Sequence, residues 1–180
     1  MRIEVPPPSG LAGFGLRQLE RLDVPDWYAY LSLPGVIEHT SWNLAGLKDL
    51  EALCGSYESP TPDSPSRLAV VENKGNRLIG TIGFHTVCAL NRTAEIAFDF
   101  APAYWGLGIA TAMCNTVTQW SFAAFGLVRV QATVLDTNRA SERVLQKCGF
   151  VYEGLLRSYR MVRGRPGNFK MYSRLADMTE

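Results

Sequence analysis

The stretch APAYWGLGIATAMCNTV, residues 101–117, decides the fold. It follows the strand-like run AEIAFDF and continues as an amphipathic helix, because Ile109, Met113 and Val117 recur at helical spacing. Gly106 and Gly108 lie where that helix begins, although glycine weakens a helix by about 1 kcal/mol relative to alanine. A strand, a glycine turn and a helix start together form an anion-binding site, since the first N–H groups have no helical acceptor. The alternative is a tight turn that only requires positive φ.

Two common phosphate-binding motifs do not fit this turn. A dinucleotide-binding fold has a third glycine in G-x-G-x-x-G, and here that position is Thr111. A Walker A loop needs Gly-Lys followed by Ser or Thr, which the chain lacks. The turn therefore indicates an anion site of another kind.

The composition bounds the class of protein. The chain has 180 residues, 47% of them hydrophobic, and a net charge of +1, so we expect one domain and no general attraction to nucleic acid or to an anionic membrane. The first residues, MRIEVPPPSG, have no apolar signal region, and no run is long enough to span a bilayer. Widely spaced cysteines without a CxxC pair predict reduced thiols, no metal and a cytoplasmic location; they are Cys54, Cys88, Cys114 and Cys148.

The order of predicted elements is typical of the α+β class. Hairpins come first, and a strand–helix–strand–helix–strand run follows, which indicates one mixed sheet in a single domain over residues 1–180, with residues 1–10 as a flexible lead-in. Asp23 is predicted to cap a helical region that runs to Tyr57 and is interrupted at Pro34-Gly35. The predicted strands cover residues 14–22, 67–73, 77–87, 94–100 and 127–135 and a closing hairpin from 150 to 176, and the later helices begin at Ile109 and near Asn138.

Three motifs in order give a resemblance to a known family. They are AEIAFDFAPAYWGLGIAT, LVRVQATVLDTNRASERVLQKCGF and YEG, within a likeness that runs from Leu68 to Leu175. The chain resembles the GNAT superfamily of N-acetyltransferases, in particular its RimJ/RimL-like branch. The resemblance implies a single GNAT-like domain, with a mixed, mostly antiparallel sheet of six or seven strands. That sheet is splayed at the acetyl-CoA site and flanked by about four helices.

The resemblance implies acetyl-CoA as the co-substrate. Its pyrophosphate is expected on the backbone amides of the glycine turn, formed by Trp105, Gly106, Leu107, Gly108, Ile109 and Ala110, with Thr111 at the helix start. Ala103 replaces a Gln or Arg of many members, and Leu107 replaces a frequent Lys. Both changes remove side-chain contacts to the phosphates but leave the amides, so we expect binding to persist.

Further contacts to the co-substrate follow from the same resemblance. The pantetheine arm is expected to pair like an extra strand with Phe98, Asp99 and Phe100. Asn138 and Ser141, in the N-x-x-S helix start, are expected at the pantetheine and the sulfur, with Ser141 as proton donor to the departing thiolate. The alternative for both residues is a purely structural helix cap.

Acetyl transfer also needs a group that takes a proton from the amine. Glu95 is the first candidate, on the same strand face as Asp99, and its alternative is an ordinary ion-paired carboxylate. Glu153 is the second candidate; some close relatives have a carboxylate further along the last long strand, where this chain has Arg160. Of the two histidines, His39 and His85, each stands alone and is interpreted as structural or solvent-exposed.

The expected activity is transfer of an acetyl group to a primary amine, which is either a protein N-terminus, as in ribosomal proteins, or a small molecule such as a polyamine or antibiotic. A non-catalytic acyl-CoA-binding module is the alternative of another class. We expect no nucleic-acid or membrane partner and a monomer or homodimer. Four aromatic residues either line the acceptor groove or pack in the core: Trp27, Tyr28, Tyr30 and Trp42.

Overall fold

One mixed sheet of seven strands forms the centre of the molecule. The computed structural model describes residues 1–59, 61 and 63–177. The strands are β1 (Phe14–Gln18), β2 (Ser66–Glu72), β3 (Arg77–Cys88), β4 (Thr93–Phe100), β5 (Arg129–Leu135), β6 (Val151–Val162) and β7 (Arg165–Leu175). Their order is β1-β2-β3-β4-β5-β7-β6, and only the β4–β5 pair is parallel. The predicted α+β fold with a mostly antiparallel sheet is confirmed.

Five α-helices accompany the sheet within the described residues, one more than expected. They are α1 (Val24–Leu31), α2 (Pro34–Ile37), α3 (Leu47–Tyr57), α4 (Ile109–Ala124) and α5 (Arg139–Lys147). Two short 3₁₀ turns, Arg21–Asp23 and Pro102–Tyr104, precede α1 and the glycine turn.

The predicted helical region between Val24 and Tyr57 is wrong for residues 38–46, which form a loop. The N–H groups of residues 38–40 still donate to carbonyls of α2, and the rest of the loop is held by side-chain hydrogen bonds. Asp49 of α3 accepts from the N–H groups of Ala45 and Gly46 at 2.6 and 3.1 Å, and the side chain of Asn43 donates to the carbonyl of Met161 at 3.0 Å. Such tertiary contacts outweigh local helix propensity.

The first strand is also shorter than predicted, because it ends at Gln18 and residues 21–23 form a 3₁₀ turn. Asp23 does occupy the position before α1, but its side chain makes no capping hydrogen bond to that helix. The carboxylate instead accepts from both terminal nitrogens of Arg17, at 2.7 and 2.6 Å, and from the N–H of Glu20.

The sheet buries an apolar cluster on each face. On one face, Leu68 and Val70 pack with residues of α4 and α5; on the other, Ala69 and Val71 pack with residues of α1 and α3. The alternation along β2 follows from the two-residue period of a strand. Residues 1–10 form no helix or strand, yet Ile3 is buried in the first cluster. No helix among the described residues has the length and apolar character that a bilayer crossing requires.

The sheet opens between its two parallel strands. β4 and β5 pair only at Thr93–Arg129, Ala94–Val130 and Glu95–Gln131. Beyond Glu95, β4 continues to pair with β3 on one side as far as Phe100, and β5 continues to pair with β7 as far as Leu135. The facing edges of β4 and β5 are therefore unpaired there, which confirms the predicted splay and leaves backbone groups available to an extended ligand.

Candidate active site

The glycine turn forms the N-terminal end of α4. Gly106 and Gly108 have φ of 77° and 78°, in the left-handed region that other residues avoid. This backbone is the one expected both for an anion-binding turn and for a tight turn without a ligand. The first helical bond runs from Ala112 to the carbonyl of Gly108, and the N–H groups of residues 109–111 precede it. No heavy atom beyond the adjacent residues lies within 4 Å of the position where a Cβ of either glycine would be. The N–H of Trp105 donates to the carbonyl of Pro102 at 3.1 Å, so this member of the predicted set already has a partner. From Gly106 onward the turn is an open site at the positive end of a helix dipole.

A cavity of about 260 Å³ fills the opening between the strands. Its walls are residues 96–99 of β4, residues 132–135 of β5, the start of α5 and the loop residues 39–43. It includes four of the predicted site residues, Phe98, Asp99, Asn138 and Ser141. The turn residues 105–111 are not among its walls, and neither is Glu95. Two regions therefore emerge, the cavity and the turn, and the unpaired edge of β4 leads from the first toward the second.

The start of α5 has both structural and open groups. Asn138 is the N-cap: its Oδ1 accepts from the N–H of Ser141 at 3.0 Å, while its Nδ2 donates to the carbonyl of His39 at 2.7 Å. The hydrogen bond from Ser141 to Asn138 therefore supports the interpretation of Asn138 as a helix cap. The hydroxyl of Ser141 has no hydrogen-bond partner among the described residues and borders the cavity, so it can donate to a ligand.

Backbone groups near the end of β4 differ in their availability. The indole Nε1 of Trp105 donates to the carbonyl of Phe100 at 2.8 Å, so one of the three residues expected to pair with pantetheine already has a partner there. A carbonyl has two lone pairs and can accept a second hydrogen bond. Trp105 is half-exposed, and its contact braces the glycine turn against the strand that precedes it.

A buried ion pair that the sequence patterns did not predict lies at the floor of the cavity. Asp99 and Arg67 are almost fully buried and form a salt bridge. The Oδ1 atom of Asp99 also accepts from Trp27 Nε1 at 3.0 Å, from the hydroxyl of Tyr30 at 2.6 Å and from that of Thr81 at 2.9 Å. Two sequence features could have revealed the pair: Asp99 faces inward on β4, and Arg67 lies in the otherwise apolar strand β2.

Glu95 is an ion-paired carboxylate in this structure. Its Oε1 accepts from Arg160 at 2.9 Å and from the hydroxyl of Thr133 at 2.6 Å, and both partners line the cavity although Glu95 does not. Its Oε2 has no hydrogen-bond partner among the described residues. The arginine that replaces an expected carboxylate on β6 is therefore the partner of the first candidate base, a pairing across 65 positions that no local pattern indicates.

Glu153, the second candidate base, is a poor proton acceptor. Hydrogen bonds from Arg129 and Ser173 hold the pKa of Glu153 at about 2, and the residue lines neither of the described cavities. His39 and His85 both border the first cavity. The ring of His85 is open to the cavity, but withdrawal from bulk water, with the nearby Arg67 cation, lowers its pKa to about 4. The imidazole is therefore neutral at pH 7.

The four N-terminal aromatic residues divide into two pairs. Trp27 and Tyr30 are buried and bond to Asp99, whereas Trp42 borders the first cavity and, with Tyr28, a second one of about 390 Å³. The two cavities share Trp42, Asn43 and Met161 as a common wall. Core packing is thus confirmed for Trp27 and Tyr30, while Tyr28 and Trp42 line a cavity and also pack against the same cluster. A role of either residue toward an acceptor stays a prediction.

In the described part of the chain, no three metal-ligating side chains converge.

Residues 14–151 match the model of the acetyltransferase (GNAT) domain. Over 107 residues, 59% of this chain and 60% of the relative, the sequence is 39% identical to YoaA of Bacillus subtilis, an uncharacterized N-acetyltransferase. The chain spans about three fifths of the length of that relative.

A second relative and a solved structure match more of the chain. The spermidine N(1)-acetyltransferase of Vibrio cholerae is 27% identical over 83% of this chain and 86% of its own length. RimJ of Mycobacterium smegmatis, solved with CoA-disulfide, superposes with a TM-score of 0.81 at 23% identity, covering 96% of this chain and 85% of that one, a likeness of fold. Because the domain model matches more than half of the residues, the chain belongs to the GNAT acetyltransferase family.

Proposed function

We propose that this protein transfers an acetyl group from acetyl-CoA to a primary amine. The observation that carries the proposal is the opening between β4 and β5 next to a glycine turn with free helix-start amides. An elongated thioester with a phosphate-bearing end fits that combination, because one region offers strand edges and the other an anion site.

The proposed contacts of acetyl-CoA follow the two regions. The pyrophosphate meets the amides of residues 106–111, where the open space beside Gly106 and Gly108 leaves room for it, whereas the amide of Trp105 already donates to Pro102. The pantetheine arm pairs with the free edge of β4 at residues 98–100. Asn138 and Ser141 then border the thioester end, which is consistent with their position in the cavity wall.

The reaction itself joins nitrogen to carbon and releases sulfur. The amine nitrogen bonds to the thioester carbonyl carbon, the carbon–sulfur bond breaks, and its electron pair leaves on the sulfur of CoA. Ser141 is the proposed donor of a proton to that sulfur, and its unpartnered hydroxyl supports the role. Most of the rate enhancement comes from holding the amine against the thioester.

Glu95 remains our proposed acceptor of the amine proton, through a water at its free Oε2. The ion pair with Arg160 holds its other oxygen and fixes the carboxylate beside the cavity. An α-amine, with a pKa near 8, needs little help to lose its proton, which suits a site whose carboxylates are all engaged in ion pairs.

We propose a protein or peptide N-terminus as the acceptor, in line with the RimJ/RimL-like motifs of the turn and of α5. A small amine is the second candidate, since one relative is a spermidine N(1)-acetyltransferase. Four free cysteines are consistent with action in the cytoplasm. We further propose a monomer or homodimer that acts without nucleic acid or a membrane.

The test combines binding with turnover. Acetyl-CoA is titrated calorimetrically, and free thiol release is followed with a panel of N-terminal peptides, polyamines and aminoglycosides. Binding together with amine-dependent thiol release supports the proposal. Binding without release on any amine would identify an acyl-CoA-binding module, and absence of binding would remove the proposed site.

A further inference from the structure

The charges around the two cavities favour an acceptor with oxygen atoms over one with several ammonium groups. The lining includes three arginines, Arg67, Arg160 and Arg163, and one carboxylate, Asp99. That carboxylate already accepts hydrogen bonds from four side chains. A polyamine bound here would place additional positive charges near the arginines, with no lining carboxylate left to pair with them.

Arg67 provides a hydrogen-bond donor at the cavity. Its side chain is 2% exposed, its Nε donates to Thr81 at 2.9 Å and its Nη2 pairs with Asp99. Its Nη1 has no hydrogen-bond partner among the described residues, and the residue forms part of the cavity wall. Nη1 is not among the fully buried side-chain atoms that lack a partner, so it is open to the cavity and can donate to a ligand or to water. A carbonyl oxygen beside the reacting amine would satisfy it.

The second cavity is suited to a hydrocarbon side chain. Its walls are mostly apolar and include Tyr28, Leu31, Ile37, Trp42, Leu44 and Met161. Its volume of about 390 Å³ lies within the roughly 300–1,000 Å³ typical of ligand pockets. It lies next to the first cavity, because Trp42, Asn43 and Met161 line both.

The loop between α2 and α3 fixes this junction. Arg163 donates to the carbonyl of Thr40 at 2.9 Å, and its own N–H donates to Asn43 at 2.6 Å. Asn138 holds the other end of the loop through the carbonyl of His39. Because the loop is tied both to α5 and to the turn between β6 and β7, Trp42 is held in place as a preformed wall.

We propose that the acceptor is a peptide N-terminal residue with an apolar side chain. Its α-amine enters the first cavity beside Ser141, its carbonyl oxygen accepts from Arg67, and its side chain fills the second cavity. This inference rests on the proposed acetyl transfer and adds the class of the first residue. It also excludes polyamines as the preferred acceptors.

The first test compares acceptors that differ in one feature. Tetrapeptides that begin with Leu, Met or Phe should show kcat/KM values about tenfold or more above those that begin with Gly, Asp or Lys, and spermidine should be poorer still. Leucinamide should exceed 3-methylbutylamine, which lacks the carbonyl group, when kcat/KM is calculated on the free-base amine. Equal rates for all first residues, or a preference for spermidine, would overturn the inference and leave acetyl transfer standing.

A pair of variants tests the second cavity. Ala45→Trp adds bulk to its wall and should lower the ratio of kcat/KM for Leu-led over Gly-led peptides by about tenfold. Ala123→Trp, on the exposed face of α4 and outside both cavities, should leave that ratio unchanged. An unchanged ratio in Ala45→Trp would contradict the assignment. If no amine releases CoA from the wild-type protein, the proposed function itself fails and the inference with it.

Discussion

Glu95 is held at one oxygen by Arg160 and Thr133, while its other oxygen has no partner among the described residues. An ion pair of this kind can hold a carboxylate in position to accept a proton. It can equally explain why a Glu is buried at this position without any catalytic role. The two roles differ in what happens when the negative charge is removed. Only a proton acceptor loses turnover with a distinct pH profile.

Glu95→Gln is expected to lower kcat by about a hundredfold, because the amide keeps the shape of the side chain but cannot accept the proton. The limb of the kcat/KM profile that belongs to the amine should remain. Glu153→Gln is the matched control: it also removes an ion-paired strand carboxylate, but its partners Arg129 and Ser173 line neither cavity, whereas the partners of Glu95 line the first. Wild-type turnover in Glu95→Gln would make Glu95 an ordinary structural carboxylate.

His85 is expected to remain neutral well below the usual pH for histidine. Its pKa is about 4 in the folded chain against about 6.5 when unfolded. As the pH falls, His85 therefore binds a proton at a higher pH in the unfolded chain than in the folded one. The free energy of unfolding decreases for this reason between pH 6.5 and pH 4, and His85 has no such effect above pH 6.5. The chain has two histidines, so NMR titration of their ring protons can separate them. A midpoint near 6.5 for His85 would contradict the shielding that the cavity provides.

At the scale of elements, the start of α4 combines three features that a phosphate requires. The turn has positive φ at both glycines, its amides have no helical acceptor, and its surroundings are open. None of these depends on a charged side chain. The proposed anion site therefore does not depend on the side chain at position 107, where this chain has Leu in place of a frequent Lys.

Gly108→Asp should raise the dissociation constant of acetyl-CoA at least about tenfold, which corresponds to 1.4 kcal/mol. The new carboxylate repels the pyrophosphate, and its Cβ enters the space above the turn. Gly126→Asp is the matched control, because Gly126 also has positive φ but follows the far end of α4. Equal affinity in a folded Gly108→Asp variant, measured by calorimetry, would refute the phosphate assignment.

At the scale of the whole molecule, the Arg67–Asp99 pair joins the α1 face of the sheet to the floor of the cavity. Asp99 on β4 holds Trp27 and Tyr30 of α1, and Arg67 on β2 holds Asp99 and Thr81. The same charges thus stabilise the fold and define the chemistry of the site. Removing one of them leaves the other buried without its partner.

Arg67→Met is therefore expected to reduce the free energy of unfolding by about 3–5 kcal/mol, measured by urea denaturation. The double variant Arg67→Met with Asp99→Leu should lose less than the single one, because no charge remains unpaired. Arg77→Met removes a partner from the exposed Arg77–Glu72 pair and should reduce the free energy of unfolding far less, because water screens exposed ion pairs. Similar losses in both single variants would contradict the importance of the buried pair.

The sequence predicted those parts of the fold that local patterns determine. The hairpin of β2 and β3, the strand β4, the glycine turn and α4 all follow from alternation, helical spacing and the need for positive φ. The splay between β4 and β5 came from the family resemblance, and the pairing register confirms it. Assignments of individual catalytic and binding residues stay predictions.

Long-range contacts account for what the sequence did not predict. Residues 38–46 leave the helical state because Asn43 and Arg163 connect the loop to the turn between β6 and β7, more than a hundred positions away. Likewise, the partners of Glu95 and Asp99 lie on other strands and helices. Such pairs depend on the three-dimensional arrangement, and neither spacing nor composition reveals them.

The most direct test of the central claim is a crystal structure of the protein with CoA. We expect the pyrophosphate within hydrogen-bonding distance of the amides of residues 106–111 and the pantetheine arm between β4 and β5. The sulfur should lie near the hydroxyl of Ser141. CoA bound elsewhere, or a sheet closed between β4 and β5 with the turn unoccupied at saturating CoA, would contradict the account.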